Sequence, residues 1–233
     1  MADSSAKTDN DAVSASARAG AGRVARALSE RVRLRRRRER GSHDRAVIDA
    51  ILDEGLVAHL GIVDADGQPF VIPTLHARRG DLLYVHGSSA SRMLRHAAAG
   101  APMCATVTLL DGLVLAKSVF NHSIDYRSVV VLGVARAVEG DEKLEALRLF
   151  TEHVAPGRWD EARQPTPTEL KATAILSLPL DEASAKVRTG PPEDEPEDVD
   201  LPVWSGVVPI HLAAEESEYD WRRVRDGRLG PPR

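Results

Sequence analysis

The sequence predicts a mainly β, α+β fold: an antiparallel barrel with a few peripheral helices. Apolar runs rich in Val, Ile and Leu recur between Leu56 and Arg188, most of them divided by turn residues of the kind that close hairpins. Only two or three segments carry helical apolar spacing, too few for a doubly wound sheet, where a helix accompanies each strand. No GxGxxG fingerprint opens any of those helices, which also argues against a dinucleotide fold of that type.

Residues 1–41 form a basic leader of Ala, Ser, Asp and Arg with almost no bulky apolar residue before Val32, so disorder is expected there. Within it, Arg31-Val-Arg-Leu-Arg-Arg-Arg-Arg-Glu-Arg40 suits either a solvated arm or a polyanion contact. The folded domain is expected over 42–212. Ser42 is the expected N-cap of a helix whose face carries Val47, Ile48, Ile51 and Leu52 and which ends at Gly55. Leu56–Val63 and Pro69–Leu75 are expected strands about the turn Asp64-Ala-Asp-Gly67. Leu82–His86 follows an Arg-Arg-Gly-Asp turn, and Ser89–Ala98 is an expected short helix. Met103–Leu110 and Leu113–Val119 are expected to form a tight hairpin about Asp111-Gly112. Arg127–Val138 is a long β-branched run. A helix then follows Gly140, with Leu144, Leu147, Phe150, Thr151 and Val154 facing inward. Ala172–Leu178 and Ala183–Arg188 return to strand patterns. Beyond the acidic loop after Gly190, Val203–Ile210 is an expected docked strand, and 213–233 a loose polar tail.

Charge separates the leader from the rest. Residues 1–45 carry a balance of +6 while the whole chain is at -4, so the remainder stands at -10. An acidic body argues against nucleic acid as its main ligand. With aromatic residues at 4%, the core must be built from Val, Leu, Ile and Ala. Cys104 is the single cysteine, so neither an intrachain disulfide nor a thiolate cage can form, and its place in an apolar run suits a small buried hydrophobe. No apolar run is long enough to span a membrane, and the N-terminus lacks a charged-then-apolar signal, so a cytoplasmic protein is expected.

Three segments carry the chemistry. In Phe70-Val-Ile-Pro-Thr-Leu75, Pro73 removes a ladder donor and belongs at an edge or bulge, where free backbone groups beside an apolar surface suit a heterocycle. In His86-Gly-Ser-Ser-Ala-Ser-Arg92 a strand turns into a helix with hydroxyls and a guanidinium, a setting for a phosphate. The third, Phe120-Asn-His-Ser-Ile-Asp-Tyr-Arg-Ser128, is more polar than a turn requires. No HExxH or close carboxylate pairing accompanies His59, His76, His86 or His122, so no metal site is expected, and no GxSxG elbow supports a hydrolase.

In order and spacing these segments resemble a family. They are similar to the FMN-binding split β-barrel proteins related to pyridoxamine 5′-phosphate oxidase, in the flavin-nucleotide-binding and nitroimidazole-resistance-like branch. The helix Asp44–Glu54 and the segments GQPFVIPTL, YVHGSSASRML and NHSIDYRSVVVLG carry the likeness, followed by PGRWDEAR, Ala185–Gly190 and Trp204–Pro209. The resemblance implies an FMN-dependent oxidoreductase with a small-molecule redox substrate, active as a homodimer with the flavin at the interface. It places Val71, Ile72, Pro73 and Thr74 along the isoalloxazine. His86, Gly87, Ser88, Ser91 and Arg92 fall at the phosphate and ribityl end. His122, Ser123, Tyr126, Arg127 and Ser128 close the site, with His122 and Tyr126 the candidates beside the reactive ring. Relatives often carry a basic pair where this chain has Arg92-Met93, so Arg127 or Arg95 is expected to supply the second charge. A flavin-binding protein without turnover is an alternative, as are the deazaflavin F420 and a His-ligated haem in place of FMN. Lys186 and Arg188 are candidates for a second phosphate pocket.

Overall fold

The computed structural model describes residues 29–213, so the expected leader over 1–28 and the tail from 214 lie outside the described residues. In chain order the elements are β1 (Gly41–Ser42), α1 (Arg45–Glu54), β2 (Val57–Val63), β3 (Pro69–Arg79), β4 (Leu82–Ser88) and α2 (Arg92–Ala98). There follow β5 (Pro102–Leu115), β6 (Ser123–Val134), β7 (Arg136–Ala137), α3 (Gly140–Val154), α4 (Arg158–Glu161) and α5 (Pro167–Ala172). The chain closes with β8 (Thr173–Pro179), β9 (Ala183–Arg188) and β10 (Gly206–Pro209).

The strands make one antiparallel sheet in the order β1-β9-β6-β5-β2-β3-β4-β8-β7, with β10 on β5. β3 carries the chain between the two halves of this split barrel. Its residues Pro69–Leu75 pair with β2, whereas His76–Arg79 pair with β4. Inward alternation fills the interior with Leu60, Leu83, Val85, Val107, Val129, Val131, Leu176 and Leu178, and α1 adds Ile48, Ile51 and Leu52. A core of branched aliphatics follows from the scarcity of aromatic residues. A smaller cluster around Tyr84, Phe150 and Ile175 seats α3 on the outer half.

Several expectations are corrected. Part of the leader is structured: Val32 is buried, Arg31 pairs with Glu182 at 3.2 Å, and β1 pairs with β9. Val32 and Leu34 supply the apolar contacts that an all-polar arm would lack. The N-cap of α1 is Asp44, whose carboxylate accepts from the Ala46 amide, and not Ser42. Asp111-Gly112 closes no hairpin; β5 runs through it with a bulge between Leu110 and Gly112. Gly112 serves close packing there, since a Cβ would stand 2.9 Å from Val207 of β10. On α3, Phe150 is buried but Leu144 and Val154 are largely exposed. The helices α4 and α5 were not expected. α5 begins with a capping box, Thr166 and Glu169, and has Pro167 in its first turn.

Candidate functional site

Strand alternation divides the first expected segment between two faces. On β3, Phe70, Ile72 and Thr74 share the inner face with their β2 partners Ile62, Leu60 and Ala58. Val71 and Pro73 lie on the outer face opposite Gly61 and His59. Because β4 begins pairing only at His76, the stretch Pro69–Leu75 has one edge without a neighbouring strand. Pro73 lies on this half-paired stretch, where a residue without an N–H is tolerated.

Beyond that edge, α2 closes a cleft of about 420 Å³ lined by Ile62, Phe70, Ile72, Ser91, Arg92 and Met93, with Asp64, Asp66 and His96 also on its wall. The volume is within the range of small-molecule sites. Arg92 is exposed and makes no ion pair or hydrogen bond with a described residue. The cleft thus joins an apolar strand face to an uncommitted guanidinium.

The strand-to-helix step offers fewer free amides than its sequence suggests. Ser89 N–H donates to Ala172 O, Ser91 N–H to Ser88 O, Ala90 N–H to Ser88 Oγ and Leu94 N–H to Ser91 Oγ. These caps leave Arg92 and Met93 as the first-turn amides, so any anion here relies on the Arg92 side chain. Gly87 has a packing reason, because a Cβ would stand 2.7 Å from Leu94 of α2. The His86 ring packs edge-on against Phe150 with centroids 4.6 Å apart, and burial pulls its pKa down. Thr74 is engaged too, donating through Oγ1 to His86 O at 2.9 Å.

The third segment occupies the start of β6. His122 Nδ1 donates to Ser118 O at 2.9 Å, and Ser128 Oγ to Lys186 O at 3.3 Å. Tyr126 pairs with Arg188 across β9. Arg127, expected as a second phosphate charge, is engaged by two carboxylates of its own chain. Its guanidinium donates to both Glu54 oxygens at 2.5 and 2.7 Å and to both Asp111 oxygens at 2.9 and 2.8 Å. Those bonds push the Arg127 pKa up and hold Glu54 below the usual carboxylate value. Arg95 is likewise turned back, onto Ala90 O at 3.3 Å.

Within one chain the His122–Ser123 end of the third segment stands apart from the cleft. Ile62 pairs with Met103 near the start of β5, while Ser123 pairs with Val114 near its end. About 35 Å of extended strand separates Met103 from Val114, while Ser128, opposite Thr108, lies about 17 Å along the strand from Met103. Of the expected site residues, the cleft gathers Ile72, Ser91 and Arg92. It adds Ile62, Asp64, Ala65, Asp66, Phe70, Met93 and His96. The turn Asp64-Ala-Asp-Gly67 was the sequence signal for three of these, since a hairpin tip beside the ring strand must border whatever lies on it. Among the described residues no three His, Cys, Asp or Glu converge as a metal site, and no helix is long and apolar enough to cross a membrane.

Residues 44–187 match the family model described as pyridoxamine 5′-phosphate oxidase, more than half of the chain. The chain belongs to the pyridoxamine 5′-phosphate oxidase family. Two solved structures share substantial sequence with this family member. One is the flavocytochrome Anf3 from Azotobacter vinelandii, at 40% identity over 87% of this chain and 98% of that one, with a TM-score of 0.77. The second is the FAD and heme binding protein from Mycobacterium smegmatis, at 38% identity over 76% and 90% of the two chains, with a TM-score of 0.70. A protein assigned to 5-nitroimidazole antibiotic resistance in Bacteroides thetaiotaomicron shares the fold at 22% identity, covering 63% and 86%, with a TM-score of 0.53. The curated proteins give no match.

Proposed function

We propose that this chain is a flavin-binding redox protein acting as a cytoplasmic homodimer. The carrying observation is the cleft, in which Ile62, Phe70 and Ile72 offer an apolar bed and Arg92 an unpaired cation. These residues suit the FMN moiety, whether free or as part of FAD: a flat ring system on the strand face and a phosphate on the guanidinium. When bound, the flavin supplies the redox chemistry, and the chain's residues bind it, orient it and restrict water around it.

Dimerisation is supported by the placement of Ser123, and with it His122, about 35 Å along β5 from Met103 at the cleft end. A two-fold copy would bring its own His122–Ser128 segment over the first chain's cleft, with His122 and Tyr126 beside the ring. Val119 and Phe120, just before His122, are 90% and 92% exposed, as expected of side chains that an isologous contact covers.

Titration of the purified chain with FMN and FAD tests this reading. Binding at micromolar concentration supports it, and no binding of either overturns it. Mass spectrometry of the co-purified ligand separates FMN and FAD from F420, which carries a long acidic tail. Reduction of the bound flavin by NADH or NADPH, alone or through a partner reductase, makes the protein an oxidoreductase acting on a small-molecule substrate. A flavin that no such donor reduces makes it a carrier or sensor.

A second reading adds a haem. It is favoured by the two relatives whose structures are those of a flavocytochrome and of an FAD and heme binding protein, and by one imidazole. His76, His96, His122 and His153 each have a ring nitrogen bonded to a backbone carbonyl. His59 and His211 are exposed and bonded to no described residue, and of the two His59 stands in a strand, on the outer face near Gly61 and Val71. An open imidazole on an apolar face could hold a haem iron there. A His59→Ala chain that keeps its flavin but loses the Soret band supports this assignment; an unchanged Soret band removes it.

A further inference from the structure

The arginine-rich run before the barrel, which the flavin reading leaves unused, is pinned to the fold at both ends. Val32 is buried, Leu34 fills the space that a side chain on Gly41 would need, and β1 pairs with β9. Between these anchors Arg33, Arg35, Arg36, Arg37 and Arg38 are all exposed. We propose that this arm is the docking surface for an acidic one-electron carrier protein, which delivers reducing electrons at the rim of the cofactor site.

Three observations carry the proposal. First, positive charge is held in place and only partly compensated. Arg33 and Arg35 share Glu30 at 2.7 and 3.7 Å, and Arg37 reaches Glu39 at 3.9 Å. Arg36 and Arg38 make no ion pair or side-chain hydrogen bond with a described residue. Like charges on a pinned segment repel one another, and an acidic surface relieves that repulsion. Arg37 is also the one non-glycine residue with a positive φ among the described residues, at 54°, and such strain clusters at binding sites.

Second, the make-up of the surface suits a small acidic protein that binds briefly. No large apolar side chain is exposed between Arg33 and Arg40. Contacts of this polar kind are fast to form and weak, as electron-transfer encounters are. An extended polyanion fits less well. The chain outside residues 1–45 stands at -10, and the loop Glu193–Asp200 beside the arm carries six carboxylates. Arg40 reaches that loop at Glu193, 3.8 Å away. A nucleic-acid duplex or an anionic bilayer would lie across those carboxylates, whereas a small protein needs only the arm.

Third, the arm borders the segment assigned to the cofactor. Arg36, Arg37 and Arg40 share a hollow with Phe120, Asn121 and His122. In the homodimer described above His122 stands beside the ring, so a carrier on the arm sits at the rim of the site. Two carriers bound in turn give up one electron each. With two protons from water this completes the two-electron reduction of one flavin and leaves two oxidised carriers. The reductive role rests on the flavin reading; the docking does not.

The full chain is titrated calorimetrically with an acidic [2Fe–2S] ferredoxin at low and high salt, and separately with FMN. The ferredoxin is expected to bind at low salt and to weaken as salt rises. Arg36→Glu combined with Arg38→Glu removes no internal contact and should weaken ferredoxin binding about tenfold or more, with FMN affinity as in the parent chain. In stopped flow, flavin reduction by reduced ferredoxin should slow by a similar factor. Arg148→Glu combined with Lys171→Glu makes the same change in net charge on α3 and α5, and should leave ferredoxin binding unchanged. Absence of ferredoxin binding overturns the proposal, as does an equal loss in the control, which would mean only diffuse electrostatics. Tighter binding of a short DNA duplex or of phosphatidylserine vesicles, lost in the arm variant, overturns it too. A chain that binds ferredoxin in the expected pattern but no flavin refutes the flavin reading and the reductive role, and leaves the docking surface standing.

Discussion

Arg188 and Asp125 form a buried ion pair between β9 and β6, with 7% and 6% of their surfaces exposed. Arg188 also donates to Gly190 O at 3.0 Å and Pro191 O at 3.3 Å. One guanidinium therefore ties the start of β6 to the loop after β9. A buried pair is costly to break from one side, because the surviving charge is stranded away from water. Asp125→Ala should lower unfolding free energy by about 3–5 kcal/mol in urea denaturation. The double change Asp125→Leu with Arg188→Met should cost less than the single one. Equal losses would show that the pair contributes no more than its packing.

Arg92 should govern flavin affinity. Arg92→Ala removes a charge-assisted bond worth about 1.5–3 kcal/mol, roughly a ten- to hundredfold loss. Arg127→Ala should act differently, lowering stability through the lost Glu54 and Asp111 contacts without removing a direct phosphate ligand. Fluorescence titration of FMN checks the first, and thermal melting the second. Unchanged FMN affinity in Arg92→Ala would place the phosphate elsewhere.

Assembly and flavin binding should fail together. Phe120→Asp puts a charge where a copy of the chain is expected to cover an apolar side chain. Analytical ultracentrifugation should show a shift to monomer, with flavin lost in parallel. A monomer that binds flavin as tightly as the parent would show that one chain completes the site.

Stability should rise with pH around the histidine range. His76 is fully buried, and burial holds its pKa below the usual 6.5. Below 6.5 the unfolded chain takes a proton there that the folded chain resists, so stability is present above 6.5 and lost as the pH falls. His86 adds in the same direction. Glu54 is depressed from 4.5, so its contribution fades only in more acid solution and is separable. Urea midpoints at about pH 7.5 and about pH 5.5 should differ clearly, and His76→Gln should flatten the slope. An identical slope in that variant would assign the dependence to other groups.

The fold was legible where one signal had one meaning. The spacing of Ile48, Ile51 and Leu52 gave a helix, and Pro73 marked the half-paired stretch of β3. Asp111-Gly112 misled because the same pair serves a turn or a bulge, and only β10 packing on Gly112 decides between them. The Thr166–Glu169 capping box was present in the sequence but stood outside any long apolar pattern. For the site, the resemblance set Val71–Thr74 together along the ring, whereas alternation on β3 turns Val71 and Pro73 away from the face that carries Ile72 and Thr74. Local sequence could not show that Glu54, from α1, occupies Arg127, or that Phe150, from α3, takes His86. Both partners are distant in the chain and meet only through the tertiary fold.

The most direct measurement is the visible spectrum of the chain purified without added cofactor, followed by mass spectrometry of what acid releases. The account predicts a yellow protein with flavin absorption whose ligand is FMN or FAD, lost in Arg92→Ala and restored in part by added flavin. A colourless protein that binds neither FMN nor FAD at micromolar concentration would contradict it.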